Sequence, residues 1–287
     1  MIAAVFVFAI MDASMKRLSD GFAPFQVAAM RCWSSLAILC APIAWRRRWR
    51  ELVPRSPWLH GARGVLGVVT LASFVYAVHV LSLSETYALF LCAPLLMTAL
   101  SVPLRGERVA VQRWIAITAG LAGALLILRP TAAAGISMLA VGAAALSAVS
   151  YALSALLVPA LSRSNDSTSM VFWSLAISGA GCAAFAAPAW REIPLHDAGW
   201  LVLVGVCGAL GQFWLTEAFR LAPPSVVGPF EYTAILWAFA IDWLFWSAAP
   251  SRGLLLGAAV VIASGIYVIA DERRQAKLAL SPANAPP

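Results

Sequence analysis

The chain has 287 residues, of which 62% are hydrophobic and only 11% are charged, and its mean hydropathy is +0.84. Soluble domains are about 45–50% apolar and about 25% charged. This chain therefore lacks the polar side chains that would cover a soluble globule of 30.4 kDa. The composition excludes a cytosolic enzyme, a nucleic-acid-binding domain and a disordered chain. In a membrane protein, the net charge of +7 reflects basic cytoplasmic loops rather than an acidic partner.

Ten segments are candidate membrane spans, because a helix needs about 20 apolar residues to cross the hydrocarbon layer. The first segment has neither a basic n-region nor a convincing cleavage site, which argues against a signal peptide, while a start upstream of Met1 stays open. The ten segments cover 2–18, 24–45, 63–82, 84–104, 110–129, 135–159, 167–188, 197–221, 223–246 and 252–270.

The basic residues predict the orientation of these spans. With a cytoplasmic N-terminus, fourteen of them fall on the inside and five on the outside, which favours two cytoplasmic termini in a bacterial-type inner membrane. The inside set is Arg46, Arg47, Arg48, Arg50, Arg55, Arg63, Arg105, Arg108, Arg113, Arg163, Arg220, Arg273, Arg274 and Lys277. The outside set is Lys16, Arg17, Arg129, Arg191 and Arg252.

The ten segments divide into two sets of five that align without a gap, so that Ala77 lies on Ala218 and Ala93 on Ala234. Because five is an odd number, the second set runs upside down relative to the first. Inverted repeats around a site near the membrane midplane recur in transporters. We therefore expect an all-α integral membrane protein, with ten transmembrane helices in two inverted five-helix repeats around a central cavity. The repeats are predicted at 1–130 and 135–271, with a cytoplasmic tail at 272–287.

Two stretches carry a family resemblance. The segment APLLMTALSVPLRGERVAVQRWIAITAGLAGALLILRP (93–130) resembles the end of the first repeat of the EamA family, in the drug/metabolite transporter superfamily. The segment AFRLAPPSVVGPFEYTAILWAF (218–239) resembles the end of its second repeat, and Asp12, Lys16, Gln26 and Arg31 are similar to its opening helices. One departure is that the Gly106-Glu107 turn of the first half is replaced by Ser247-Ala248 in the second.

The resemblance implies a secondary transporter that exports amino acids or related small metabolites by alternating access. An importer of another metabolite, such as an adenosylated compound, is the alternative within the family. A passive channel or a structural membrane subunit is the alternative outside it. No GxxxxGK[ST] loop is present, so ATP is not expected to drive transport. No HExxH or GxSxG motif occurs, and His60, His79 and His196 have no metal-ligand spacing, so we expect no enzyme, metal or cofactor.

The other expected partners are a small-molecule substrate and membrane lipid, with no nucleic acid, while proton coupling and facilitated diffusion both stay open. A monomer and a homodimer both stay open. The five cysteines lie in apolar stretches without paired spacing and are expected to be small buried hydrophobes.

Ionisable side chains inside the spans are costly, at roughly 2.5–3.5 kcal/mol each on insertion scales, and therefore point to a functional site. At about 1.5 Å of rise per residue, Asp12 and Arg31 both lie roughly 10 Å below the outer surface. We predict an Asp12–Arg31 ion pair, which serves either as a structural bridge or as part of a gate.

A second polar cluster is expected nearer the cytoplasmic side. Glu231, Gln212 and Tyr151 all fall roughly 11–14 Å from that face. Glu231, with Tyr232 beside it, is the leading site for a substrate or a proton, because its carboxylate could bind an ammonium group. The alternative is a Glu231 that Gln212 and Tyr151 hold as a structural lock. The prolines before it, Pro223, Pro224 and Pro229, free backbone carbonyls that can line a cavity.

The remaining candidates each have a structural alternative. Glu217 and Arg220 are three residues apart on one helix and could simply pair with each other. The side chains of Tyr76, His79 and Trp214 could contact a substrate, although aromatic residues at these depths, Tyr87 among them, are more typical of the interfacial belt. Pro94 and Pro229 are candidate hinges. Asp242 is expected to reach the outer surface.

Overall fold

Helices form almost all of the described chain. The computed structural model describes residues 1–47, 49–105, 111–132, 137–221 and 228–279, and within these ranges it contains no β-strand. Short 3-10 segments cover Trp49–Leu52, Ala187–Ala189, Leu195–Asp197 and Gly228–Thr233. The α-helices are α1 (Ile2–Leu18), α2 (Pro24–Trp45), α3 (Pro57–Val80), α4 (Leu83–Phe90), α5 (Ala93–Arg105), α6 (Val111–Ala132), α7 (Met138–Leu161), α8 (Ser167–Ala186), α9 (Ala198–Leu221), α10 (Ala234–Trp246) and α11 (Arg252–Ala279).

Six stretches of the described chain are helical, long and apolar enough to cross a membrane. Two shorter apolar helical stretches, Trp114–Gly123 and Arg252–Val268, lie within α6 and α11. The fold is therefore that of an all-helical multi-pass membrane protein. The six stretches are Pro24–Trp45, Pro57–Val80, Leu83–Leu100, Met138–Leu161, Ser167–Ala189 and Leu195–Leu221.

Several helix ends differ from the predicted ones. Helix α3 begins at Pro57 rather than 63, so Arg63, predicted at the cytoplasmic start of the third span, lies inside the helix and is buried. Helix α11 continues to Ala279, so the predicted tail begins as a helix, and residues 280–287 lie outside the described chain. The predicted turn at Gly106-Glu107 and the prolines Pro223 and Pro224 also lie outside it.

The fourth predicted span is split into α4 and α5. Ser82 begins α4 with a reciprocal cap, in which its hydroxyl accepts from the backbone N–H of Glu85 and the Glu85 carboxylate accepts from the backbone of Ser82. The helix ends at Phe90, and α5 begins at Ala93. Pro94 occupies the second position of α5, where a missing backbone N–H leaves no hydrogen bond unmade. Pro94 therefore starts a helix rather than bending one.

The ninth predicted span is also irregular. The 3-10 segment Gly228–Thr233 precedes α10, so a tight turn of backbone carries Glu231 and Pro229 into the span. Both irregular spans thus change their helical geometry next to the residues of interest, and the role of Pro94 and Pro229 as hinges stays a prediction.

The main helix contacts between the two halves of the chain stay the same when each helix is replaced by its counterpart in the other half. Helix α1 packs on α9 as α3 packs on α7, and α2 packs on α9 as α3 packs on α8. The pairs α2–α8, α4–α10 and α6–α11 each join corresponding helices of the two halves. Exchanging α1, α2, α3 and α6 with α7, α8, α9 and α11 leaves this pattern unchanged, as expected for two copies of one structural unit related by a pseudo-twofold axis.

Asp242 of α10 fixes the start of α4. Its carboxylate accepts hydrogen bonds from the backbone N–H groups of Leu83 (3.3 Å) and Ser84 (2.7 Å) and from the Ser84 hydroxyl (2.5 Å). Lys16 of α1 donates to the carbonyl of Leu81, just before the start of α4, at 2.7 Å. Asp242 is 2% exposed, so the expectation that it reaches the outer surface is wrong: unsatisfied N–H groups of a helix start hold it inside.

Small residues bring the helices together, as is common where helices pack in lipid. Gly265 of α11 lies against the ring of Tyr232, and a Cβ atom at this position would overlap the tyrosine hydroxyl. We expect Gly265→Ala to lower the free energy of unfolding by about 1–3 kcal/mol, because the buried ring cannot move freely. Thermal unfolding in detergent measures the effect. Gly142→Ala on α7, where a Cβ meets nothing within 4 Å, is the matched control and should leave stability unchanged or raised.

Candidate functional site

A partly open cavity of about 170 Å³ lies where the two halves meet. Helices α1 to α4 of the first half and α7 to α10 of the second, with the 3-10 segment before α10, all contribute to its wall. The charged and strongly polar side chains in the wall are Asp12, Arg31, Tyr87, Tyr151, Gln212 and Glu231. Because ligand sites combine apolar walls with a few convergent polar groups, this cavity is the candidate substrate site.

Asp12 of α1 is paired with a tyrosine. The carboxylate is 5% exposed and accepts a short hydrogen bond from the hydroxyl of Tyr87 on α4. The predicted ion pair with Arg31 is absent, although both residues lie in the described chain. Tyr87 holds the carboxylate, and the Arg31 side chain turns toward Met11 and Phe8 instead.

Arg31 of α2 is buried among uncharged groups. Its Nε–H donates to the sulfur of Met11 at 3.2 Å, and its guanidinium carbon lies 5.9 Å from the centre of the Phe8 ring. The contact with Phe8 is a cation–π interaction, in which a ring face attracts a cation. The side chain is 7% exposed and still reaches the cavity wall.

Glu231 is also paired with a tyrosine. The hydroxyl of Tyr151 on α7 donates to Glu231 Oε1 at 3.2 Å, and Gln212 of α9 lines the same cavity. The structure thus brings together Glu231, Tyr151 and Gln212. One hydrogen bond leaves most of the acceptor capacity of a carboxylate for another donor, such as an ammonium group.

Each half of the chain supplies one carboxylate–tyrosine pair. Asp12 and Tyr87 come from the first half, whereas Tyr151 and Glu231 come from the second. Aromatic rings connect the pairs: Phe74 lies 6.0 Å from Tyr87 and 5.4 Å from Phe90, and Phe90 lies 5.0 Å from Tyr151, all between ring centroids. The cavity therefore offers two acidic positions joined by an apolar, aromatic wall.

The model of the EamA-like transporter family matches the chain twice, over residues 1–129 and 138–270. The chain belongs to this family. The two matched stretches contain the two carboxylate–tyrosine pairs, one pair in each.

Named EamA relatives transport different compounds. A riboflavin transporter of Rhizobium johnstonii is 29% identical over 225 residues, which are 76% of this chain and 72% of the relative. A pseudopaline exporter of Pseudomonas aeruginosa is 27% identical over 271 residues, covering 93% and 90%. An S-adenosylmethionine uptake transporter of Rickettsia bellii is 23% identical over 264 residues, covering 92% and 89%.

A protein of known crystal structure shares the fold, with a TM-score of 0.68 at 18% identity over 96% of this chain and 97% of that one. Together with the apolar helices and the transporter relatives, the family match shows a multi-pass membrane transporter of small molecules, not an enzyme.

Four residues predicted to contact the substrate are not among the residues that line the cavity. Tyr232 is buried against α11, because successive residues of a 3-10 helix point about 120° apart and Glu231 faces the cavity. Trp214 and Tyr76 each follow a cavity residue by two positions, which places them on the other side of an α-helix. His79 is exposed, and its Nδ1 lies 3.2 Å from the hydroxyl of Ser19.

Glu217 and Arg220 pair outside the cavity. Arg220 Nη2 lies 2.5 Å from Glu217 Oε1, and the hydroxyl of Ser167 on α8 donates to Glu217 Oε2 at 2.6 Å. The Ser167 contact ties the end of α9 to the start of α8. The pair therefore lies where α8 and α9 meet, outside the cavity wall. A role in gating stays a prediction.

Two polar links were not foreseen from the sequence. The sequence predicts Tyr87 in the interfacial belt, yet it is 5% exposed and donates to Asp12. Gln26 of α2 makes two hydrogen bonds with the backbone of Arg191, donating to its carbonyl (2.6 Å) and accepting from its N–H (3.1 Å). The available signal was a lone amide in an apolar stretch, with Phe25 and Val27 on either side, since a buried amide requires partners.

Proposed function

We propose that the protein is a secondary transporter that exports amino acids or related small metabolites across the inner membrane by alternating access. Ten helices in two inverted five-helix repeats, with both termini in the cytoplasm, would form it. The observation that carries the proposal is the shared cavity, in which each half contributes one buried carboxylate held by a tyrosine. A cavity walled by both halves can open to either side as the halves exchange conformations.

The size and charge of the cavity favour a small solute with a cationic group. Its volume of about 170 Å³ lies below the range of about 300–1,000 Å³ that is usual for drug-sized ligands. Asp12 and Glu231 supply negative charge for an ammonium group, while Phe74 and Phe90 supply apolar surface for the remainder. An amino acid combines both features.

Uptake of a larger, adenosylated compound is the alternative, and the S-adenosylmethionine uptake transporter among the relatives favours it. The small volume of the cavity speaks against it in the conformation described here. Direction would distinguish the two further, because an exporter lowers the content of its substrate in intact cells that have been loaded with it.

Counterflow in proteoliposomes tests the proposal. Purified full-length protein is reconstituted, each of the twenty common L-amino acids is trapped inside at high concentration, and uptake of the labelled form is followed with and without a pH gradient. We expect trapped substrate to stimulate uptake of at least one amino acid, because a carrier exchanges bound solute across the membrane. Flux without stimulation would indicate a channel, and no flux of any amino acid would contradict the proposal. A response to the gradient would support proton coupling.

A further inference from the structure

Arg31 is a buried cation that pairs with no carboxylate of the described chain. Its described partners are a thioether, which is a weak acceptor, and the face of an aromatic ring. Within the described chain, no hydrogen bond joins either terminal nitrogen of the guanidinium to another residue. A buried charge normally requires an opposite charge and hydrogen bonds. The side chain is 7% exposed and lines the cavity, so its free donors are available to whatever enters.

Asp12 lies beside Arg31 and is also held by an uncharged group. The two charges attract each other, but they are not within the 4.0 Å of an ion pair, and Tyr87 occupies the carboxylate. Both side chains line the same cavity. One wall therefore presents an acid and a base next to each other, each with a neutral partner rather than with its neighbour.

We propose that Arg31 and Asp12 form a subsite for the charged head of a zwitterionic α-amino acid, with its carboxylate on Arg31 and its ammonium on Asp12. This inference rests on the proposed function and names the substrate chemistry of the site. A guanidinium fork matches a carboxylate in a bidentate manner, and its planar donors are preorganised for that contact. The ammonium and carboxylate of an α-amino acid sit on one carbon atom, so they require a neighbouring acid and base.

The same arrangement discriminates against ligands that carry one charge. An amine bound to Asp12 would leave Arg31 without an anion and close to a second cation. A carboxylic acid bound to Arg31 would meet the charge of Asp12. Only a ligand with both charges compensates both residues, which is how unfavourable contacts produce specificity. Phe8, Met11, Met15 and Phe74 surround the subsite and provide a surface for an apolar side chain.

Three probes with the same isobutyl side chain test the subsite. L-leucine carries both charges, isopentylamine lacks the carboxylate, and 4-methylpentanoate lacks the ammonium. Their dissociation constants are measured by isothermal titration calorimetry on the purified full-length protein. If another of the twenty L-amino acids binds more tightly, the amine and the acid that match its side chain replace these analogues. We expect the wild type to bind the amino acid at least about tenfold more tightly than either analogue, as for hydrogen bonds to charged groups.

The variants separate the two contacts. In Arg31→Gln, the amino acid should lose its advantage over the amine, while binding of the amine is kept or becomes tighter, because the second cation is gone. In Asp12→Asn, it should lose its advantage over the acid. Arg31→Lys keeps the charge without the fork and should give an intermediate preference, which guards against a misfolded Gln variant. Arg17→Gln, at an exposed arginine paired with Asp20, is the matched control and should bind as the wild type does.

The outcomes separate the subsite from the proposed function. If the wild type binds an amino acid and both cavity variants keep its preference, the subsite is wrong while amino-acid transport stands. Equal weakening of all three probes by Arg31→Gln would also overturn the subsite, because it would indicate a structural role. If the wild type binds none of the twenty amino acids, the proposed function fails together with the subsite.

Discussion

Glu231→Gln should reduce amino-acid transport about tenfold to 100-fold, because it removes one of the two negative charges with which the cavity attracts the ammonium of the substrate, and an interaction of a charged group contributes about 1.5–3 kcal/mol. Glu231 is 8% exposed, lines the cavity and receives one hydrogen bond from Tyr151 at 3.2 Å. Glutamine keeps the shape and can still accept that hydrogen bond, so the change removes the charge and little else. Counterflow in proteoliposomes at matched protein density measures the loss.

Two further variants show whether the effect belongs to the carboxylate. Tyr151→Phe removes the hydrogen bond but keeps the charge, so its transport should fall by a few fold at most, as expected for a single hydrogen bond of about 1 kcal/mol. Glu192→Gln makes the same chemical change at an exposed position in the connection before α9 and should have no effect. Wild-type transport by Glu231→Gln would show that Glu231 only holds helices together.

Asp242→Ala should lower the free energy of unfolding by roughly 3 kcal/mol, because each buried donor left unsatisfied costs about 1–3 kcal/mol. The carboxylate accepts from two backbone N–H groups at the start of α4 and from the hydroxyl of Ser84. It also attracts Lys16, which would lose a nearby negative charge. The midpoint of thermal unfolding in detergent should therefore fall clearly.

Matched substitutions identify the cause of that loss. Ser84→Ala removes one of the three donors and should give a smaller decrease. Asp20→Asn alters an exposed aspartate whose ion pair with Arg17 contributes little, since surface pairs are worth about 0–1 kcal/mol. An unchanged midpoint in Asp242→Ala would mean that water or other groups satisfy the start of α4 as well as the carboxylate does.

Depth along the chain predicted part of the cavity. Residue counts from the span ends predict one level for Glu231, Tyr151 and Gln212, and the structure brings them to one cavity. The family was likewise recognisable from the stretches at 93–130 and 218–239, and the family match confirms it. Apolar length indicated the helices well, although two of the spans contain irregular turns that hydrophobicity does not show.

Counting residues along a span does not show in which direction a side chain points. Asp12 and Arg31 lie at one depth, but depth does not say which side chain turns toward which neighbour, and Tyr87 took the place expected for Arg31. Tyr232 was assigned to the cavity because it adjoins Glu231, yet in a 3-10 helix adjacent residues diverge. Asp242 gave no local signal at all, because its partners lie more than 150 residues earlier in the chain.

Because α4 and α5 are separate rods, a tilt at one end of their span need not be transmitted to the other end. Helix α4 has eight residues, which correspond to about 12 Å, and at the break the backbone N–H groups of Leu91 and Cys92 donate to the carbonyls of Tyr87 and Leu89. Phe90 and Leu91, at this break, lie in the wall of the cavity. A change in bilayer thickness or lateral pressure in one leaflet would be absorbed at this joint.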